Sequence, residues 1–350
     1  MDEKIQKLID EAEKYRSMKV KQAAGEKLFE ASARLAEKGE QADAVRFLTQ
    51  AVKLYEEDRS GKTDEFFERA ATKFDEIKEF NLAGENYVKA AKRHSDKVDH
   101  RGAIPLYLKA VEAYKKSNLL RNVAENYRLA ATEYEVLGEP IIAAQHIERE
   151  ADARLELKDV HGTVRALNDA RDLYLRVGKF NESAKCLKKA AEAFVQSGNK
   201  READEYYLMA ADDLQKAAEE SIKTKDHNRS PGFLLEAASI YQKGGETEKT
   251  AVCHLRAAEE YLKGENTNEA AENYRKATIE YLLTEELETA KNVVSGARDE
   301  KVRSTDAFRQ SLKLVEVFEK GDEEGMNLAL REVGDFSWVR LCLAFGKFMK

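Results

Sequence analysis

YRLAATEY, the stretch at residues 127–134, decides the fold of this chain. Tyr127, Ala130, Ala131 and Tyr134 are spaced i, i+3, i+4 and i+7, so their side chains share one stripe of an α-helix. Alanines in the middle of the stripe let neighbouring helices approach closely, and the aromatic rings at its ends fill the space between packed helices. The stretch therefore predicts a helix that packs against other helices.

The same stripe returns about every 20 residues along most of the chain, which is the signature of a solenoid. Each period holds about 15 residues of helix and a short turn, and helices joined by short turns run antiparallel. The sequence therefore predicts an all-α fold, an antiparallel TPR-like helical-repeat solenoid with helix pairs of about 40 residues. A typical stripe has two adjacent small residues at its middle, such as Ala130 and Ala131, and we call the first of these positions the anchor of that repeat. The anchors are Ala31, Ala51, Ala70, Ala90, Ala110, Ala130, Ala170, Ala190, Ala210, Ala237, Ala257 and Ala277, with Glu150 in place of an alanine.

The pattern divides the chain into three predicted parts. Residues 1–22 form a polar amphipathic helix that we expect to cap the open end of the solenoid. Residues 23–284 carry the repeats, and residues 285–350 are predicted to form a C-terminal helical bundle or cap. Within this last part, helices are predicted over 305–320, 322–333 and 335–348, the third of which contains the single tryptophan, Trp338.

Helix ends and one irregularity can also be located. The period lengthens between Ala210 and Ala237, where residues 224–232 have the composition of an exposed loop. This segment is either a binding loop or a tolerated insertion. Glycines that can take a positive φ stand eight residues after four anchors and predict helix ends at Gly39, Gly138, Gly178 and Gly198.

Composition narrows the class of protein. Charged residues make up 36% of the chain and the mean hydropathy is −0.65, so we expect no membrane span, and the N-terminus lacks the apolar segment of a secretory signal. Three cysteines lie far apart, without disulfide or metal spacing, which favours a reducing, cytosolic setting. A net charge of −7 argues against nucleic-acid binding.

Motifs of catalysis are missing from the sequence. It contains no glycine-rich phosphate loop, HExxH, CxxC or nucleophile elbow. His94 and His254 occupy stripe positions, so we expect them to pack in the core rather than to bind a metal. We therefore expect neither an enzyme nor a cofactor.

One pattern of charge points to a function. The residue before the anchor is basic in seven repeats, and at this position a side chain faces away from the buried stripe. Such a series suits a long acidic partner. Alternatively, these residues form ordinary i,i+3 ion pairs with acidic residues such as Glu112. One of the seven is Arg256. We name the other six the basic ladder: Arg69, Lys89, Lys109, Arg149, Lys189 and Lys276.

The helix stripes and the C-terminal segment resemble those of the soluble NSF attachment proteins (SNAPs). The stripes at residues 87–91 and 127–131 are typical of that family. The order of residues 306–318, Gly321-Asp322 and residues 336–341 is similar to that of its C-terminal bundle. The resemblance spans nearly the whole chain, and the C-terminal part is its more specific portion.

The resemblance implies an adaptor without catalytic activity. SNAPs bind along a four-helix SNARE bundle, largely through basic residues, and recruit a hexameric NSF-type AAA+ ATPase through their C-terminal end. The basic ladder would suit the first role. Asp322, Glu323 and Glu324 are candidates for an ATPase contact, although carboxylates are also favoured at the start of a helix.

Two departures from the family indicate a divergent or gamma-like member. SNAPs carry an exposed apolar loop near the N-terminus that touches the membrane, whereas the segment of residues 16–20 here is short and basic. The chain also ends without an acidic tail. We therefore expect a protein that is a monomer alone and reaches membranes only peripherally, through its partners. The alternative is a TPR-like protein-binding scaffold with no ATPase partner.

Overall fold

The structure, a computed structural model, describes residues 2–58, 63–333 and 337–348, with the backbone alone described at 64, 330–333, 337–340 and 348. Every regular element in these ranges is a helix. Two compact units divide the chain, Met1–Leu173 and Tyr174–Lys350.

The first unit consists of consecutive helices, each of which packs on the next from α1 to α8. The last helix of this part, α9, crosses the division between the units. The helices are α1 Glu3–Ser17, α2 Lys21–Glu37, α3 Gln41–Glu56, α4 Thr63–Glu76, α5 Phe80–Asp96, α6 His100–Lys116, α7 Leu120–Val136, α8 Pro140–Glu156 and α9 Val160–Arg176.

The second unit begins with the same sequential packing and closes with shorter helices that gather around α14. Its helices are α10 Phe180–Gln196, α11 Lys200–Lys223, α12 Ser230–Lys243, α13 Thr247–Lys263, α14 Thr267–Leu283, α15 Leu287–Gly296, α16 Glu300–Arg303, α17 Asp306–Lys320, α18 Glu323–Val333 and α19 Ser337–Phe348.

The buried stripe is where the sequence pattern places it. All twelve anchor alanines are 0% exposed, and their neighbours on the stripe, such as Tyr127 and Leu187, are also buried. Glu150, which replaces an anchor alanine, is only 1% exposed. Close packing of these small residues lets neighbouring helices approach, and the predicted all-α antiparallel helical-repeat fold is confirmed.

Helices end at residues with a left-handed backbone, as predicted. Gly138 has φ 74°, its N–H donates to the carbonyl of Glu135, and the N–H of Glu139 reaches back to Tyr134. These bonds satisfy carbonyls that the helix end leaves open. Gly39, Gly178 and Gly198 also have positive φ. Repeats without a glycine use another residue in the same conformation, for example Val98 at φ 64°.

The irregular segments differ from the sequence prediction in detail. Extra residues after Ala210 mainly lengthen α11, which has 24 residues, and only 224–229 lie between helices. Predicted C-terminal helices correspond to α17, α18 and α19, but α15 and α16 before them were not predicted. Positions 335 and 336 and the side chain of Trp338 lie outside the described residues. The division at 22 and 284 stays a prediction.

Candidate protein-interaction surface

The basic ladder runs over successive helices of the first unit. Arg69, Lys109 and Arg149 stand on the alternate helices α4, α6 and α8, and Lys89 stands on α5. Their side chains reach solvent, with 43% of Arg69, 49% of Lys109 and 35% of Lys89 exposed. The stripe buries the opposite side of each helix, so these cations are available at the surface as the sequence pattern requires.

Each residue of the basic ladder is called a rung, and most rungs in this unit form ion pairs within the chain. Lys109 Nζ lies 2.7 Å from Glu68 Oε1, and Lys89 Nζ lies 2.5 Å from Glu56 Oε1. Both carboxylates belong to the helix two positions earlier, so the pairs link alternate helices. The expected i,i+3 partner of Lys109, Glu112, instead pairs with Lys115 at 3.0 Å. Ion pairing of the ladder is therefore real, but its partners are not those that the sequence spacing predicts.

Arg69 forms the most extensive of these contacts. Its Nη1 and Nη2 donate to the two oxygens of Glu26 at 3.0 and 3.1 Å, and the Tyr55 hydroxyl donates to Oε1 at 2.7 Å. The guanidinium also lies 4.7 Å from the centre of the Phe29 ring. Burial raises the pKa of Glu26, but the hydrogen bonds from Arg69 and Tyr55 outweigh it and hold the pKa below 4.5. Glu26 thus remains ionised and joins α2 to α4.

In the second unit, Lys189 lies on α10 and Lys276 on α14, both half-buried. Lys276 Nζ is 3.9 Å from Glu272 Oε1, but Arg275 holds the same carboxylate more closely, at 2.7 Å. Lys189 and Lys276 belong to the second unit, and the other four ladder residues belong to the first.

A network of partly exposed charges, which the sequence did not predict, surrounds the buried Glu150. Its oxygens lie 2.6 Å from Arg128 Nε and 2.8 Å from Arg154 Nε, and Arg128 also reaches Asp169 at 2.7 Å. These residues line a surface depression of about 420 Å³ with Arg165. The signal in the sequence was the carboxylate at an anchor position, because a buried charge requires partners.

Two further depressions lie on the surface. One, of about 380 Å³ between α6, α7 and α8, contains Arg149, Lys115 and Tyr127. The other, also about 380 Å³, is in the second unit where the repeat period lengthens, and Tyr207 and Ile240 contribute to its lining. No motif marks either one, because each is formed by residues from three helices.

Of the three acidic residues at the start of α18, Asp322, Glu323 and Glu324, the first has a structural role. Asp322 Oδ1 accepts a hydrogen bond from the Gly325 N–H at 2.9 Å, which caps the start of the helix. Glu323 and Glu324 are exposed in the first turn. Only these two carboxylates are thus available to a partner without loss of the cap.

The stripe histidines are hydrogen-bonded. His254 Nδ1 lies 2.9 Å from Asn273 Oδ1, and burial lowers its pKa. Both histidines are half-buried, so the expected core packing is wrong for each, and His94 Nδ1 lies 2.6 Å from Asp99, the N-cap of α6. Within the described ranges, no group of three or more His, Cys, Asp or Glu side chains is placed to hold a metal. None of the described helices is long and apolar enough to cross a bilayer.

The consecutive packed helix pairs define a helical-repeat protein of TPR-like type. Residues 95–229, from the end of α5 to the loop after α11, match the family described as "Soluble NSF attachment protein, SNAP". The match covers less than half of the chain, and over these residues it confirms the resemblance to the SNAP family. No curated protein sequence matches the chain.

Three solved structures are similar at low identity. A circular tandem repeat protein with novel repeat topology is 14% identical, covering 99% of this chain and 94% of that one with a TM-score of 0.42. A STAND protein with a tetratricopeptide repeat sensor from Pyrococcus horikoshii is 16% identical, covering 93% and 55%, with a TM-score of 0.32. The P58(IPK) TPR domain is 15% identical, covering 91% and 99%, with a TM-score of 0.26.

Proposed function

We propose that this protein is a non-catalytic SNAP-like adaptor. In this proposal it binds a SNARE-type helical bundle and recruits an NSF-type AAA+ ATPase that disassembles the bundle in vesicle trafficking. Residues 95–229, which match the SNAP family, include the ladder residues Lys109, Arg149 and Lys189. The exposed Lys109 and Arg149 within that segment are the observation that carries the proposal, because an acidic helical bundle is their electrostatic complement.

In-chain ion pairing does not exclude this role. Half-exposed pairs such as Lys109–Glu68 contribute about 0–1 kcal/mol each, so a partner carboxylate can exchange with the in-chain one at little cost. Affinity should then arise from several rungs together and should fall as salt is added, since screening acts on exposed charges. The protein is proposed to act in the cytoplasm and to meet membranes only through its partners.

A pull-down tests the proposal. The wild-type chain should capture an NSF-type ATPase only when a soluble SNARE-type bundle is present. Charge reversal at Lys109, Arg149 and Lys189 should abolish this capture. A control with the same change in net charge reverses the exposed Lys7, Lys53 and Lys92, which lie outside the ladder, and should keep it. Capture that does not depend on the bundle, or equal loss in both variants, would count against the adaptor.

The proposed ATPase contact at Glu323 and Glu324 is tested with a separate variant. Glu323→Gln with Glu324→Gln removes two exposed charges but leaves the Asp322 cap of α18 in place. Bundle binding should be unchanged, whereas capture of the ATPase should weaken. Retention of full ATPase capture would remove these residues from the proposed site.

The depression near Tyr207 favours a second candidate, a scaffold that binds peptides without an ATPase. Leu208 and Ile240 lie in it beside Lys188 and Lys243, so an apolar side chain flanked by charges would fit. Substitution of Ile240 by Asp should then abolish partner capture from an extract, while ladder variants should have no effect. The opposite result favours the adaptor.

A further inference from the structure

A groove on the surface of the second unit lies between α10 and α12, with α11 as its floor. It contains the depression of about 380 Å³ near Tyr207, at the small end of the range of about 300–1,000 Å³ that ligand pockets occupy. The apolar part of its lining comes from Tyr207 and Leu208 of α11 and Ile240 of α12. All three are half-buried, so each still reaches solvent. The groove therefore offers an apolar floor of a size that suits a single large side chain.

Charged side chains around this groove balance one another. Lys188 of α10 pairs with Glu236 of α12, which joins the two walls and uses one charge of each sign. Asp204 of α11 and Lys243 of α12 also line the depression, and both are exposed. Among the residues that the structure describes, neither of these two forms an ion pair. The lining thus has no net charge, and it keeps one carboxylate and one ammonium group available to a ligand.

The hydroxyl of Tyr207 is a third polar group in the lining. Burial, together with the charges of Glu192 and Asp204, raises the pKa of Tyr207, so the hydroxyl stays protonated and can donate a hydrogen bond. Within the described part of the chain it donates to no acceptor. A peptide carbonyl above the floor would supply one.

We propose that this groove is a second interaction site, which binds one large apolar side chain, such as phenylalanine, from a partner segment that also carries a basic and an acidic residue. The apolar side chain covers the floor, because burial of apolar surface is the main source of affinity at such a site. The basic residue reaches Asp204 and the acidic one reaches Lys243, which selects the segment by complementary charge. No residue of the basic ladder takes part, so the inference goes beyond the adaptor function and does not rest on it.

Short labelled peptides test the site on the full chain, without a bundle or an ATPase. The probes are fluorescein-labelled Lys-Ala-Phe-Ala-Glu and the reverse sequence, Glu-Ala-Phe-Ala-Lys, which covers both directions of the segment. Fluorescence anisotropy gives the affinity of each. In the probe that binds more tightly, replacing Phe by Ala should weaken binding at least tenfold, because the buried apolar surface is lost. Replacing its Lys and Glu by Gln should weaken binding only about threefold, since exposed ion pairs contribute little.

Variants of the chain locate the site. Ile240→Asp should weaken binding of the probe at least tenfold, because it places a charge on the apolar floor. Val195→Asp is the matched control: Val195 is 55% exposed on α10 outside the depression, so this variant should bind like the wild type. Ser239→Trp covers the groove from an exposed position and leaves Ile240 in place. It should weaken binding as well, and it decides the question where Ile240→Asp does not fold.

Three outcomes overturn the inference: a wild-type chain that binds neither probe, equal binding of the Phe and Ala peptides, and a folded Ser239→Trp variant that binds like the wild type. Charge reversal at Lys109 and Arg149, both in the first unit, should leave probe binding unchanged. A chain that captures the ATPase through the bundle but binds no probe refutes this site and leaves the adaptor function intact. A chain that binds the probe but captures no ATPase supports the site and counts against the adaptor.

Discussion

His146 should make the stability of the first unit depend on pH. Its side chain is 5% exposed in α8 and stacks on the ring of Tyr134, with centroids 5.1 Å apart and planes at 8°. Within the described residues, its buried Nδ1 has no hydrogen-bond partner. Burial, together with the charge of Arg149, lowers the pKa of His146 from 6.5 to about 4. The neutral ring is therefore the form that the fold accepts.

The sign of the effect follows from the lowered pKa. Below about pH 6.5 the unfolded chain binds a proton at this position that the folded chain refuses, so stability is full above pH 6.5 and falls toward about pH 4. Each unit of pKa difference corresponds to about 1.4 kcal/mol. His146 should therefore cost the folded state about 2 kcal/mol at about pH 5 and about 3 kcal/mol at about pH 4.

The test compares the wild type with His146→Asn by urea unfolding near pH 7.5 and near pH 5. Asparagine is the matched replacement, because Asn86, Asn126 and Asn273 are buried at the same position, four residues before their anchors. On going to the lower pH, the wild type should lose about 2 kcal/mol more stability than the variant. Losses that agree within about 0.5 kcal/mol, or an NMR titration of His146 near its ordinary pKa, would refute the reasoning.

Three further predictions concern packing and reactivity. Ala130→Leu should cost about 1–3 kcal/mol of unfolding free energy by overpacking a site that is 0% exposed, whereas Glu135→Leu, exposed on the same helix, should melt like the wild type. Gly84→Ala should lower the melting temperature because its Cβ would lie 2.7 Å from the buried Tyr114 ring; an unchanged melt would mean that the ring moves aside. Burial raises the pKa of Cys253 to about 11, so it should resist iodoacetamide in the folded protein and react on unfolding, as mass spectrometry would show.

The fold could be predicted because the stripe repeats. A stripe such as Tyr127 to Tyr134 sets which side of each helix is buried, and a short turn sets the direction of the next one. Turns at residues other than glycine were harder to predict, as at Val98, because the left-handed conformation there depends on the bonds that close the helix end. The short helices α15 and α16 were missed because they carry no stripe of the repeat type.

For the candidate surface, the sequence predicted which cations face solvent but not which residues they contact. Spacing along the chain identified Lys109 and Arg149 as solvent-facing cations, but it could not show that Lys109 meets Glu68, since that contact joins helices of different repeats. The sequence instead offered Glu112, the nearest carboxylate along the same helix. Contacts between helices of one layer depend on how far the helices are offset, and a single sequence does not contain that offset.

The same contacts decide how the ladder can recognise a partner. A rung whose cation is held within the chain, such as Arg69 with Glu26, gains little net energy from a second carboxylate, because one ion pair is exchanged for another. Rungs of this kind favour approach of an acidic surface without fixing its position. Arg149 lies in a depression that Asp152 and Glu156 also line, so a carboxylate of a partner would meet carboxylates of the chain there. Binding would then depend on salt through the whole ladder, because screening acts on every exposed charge.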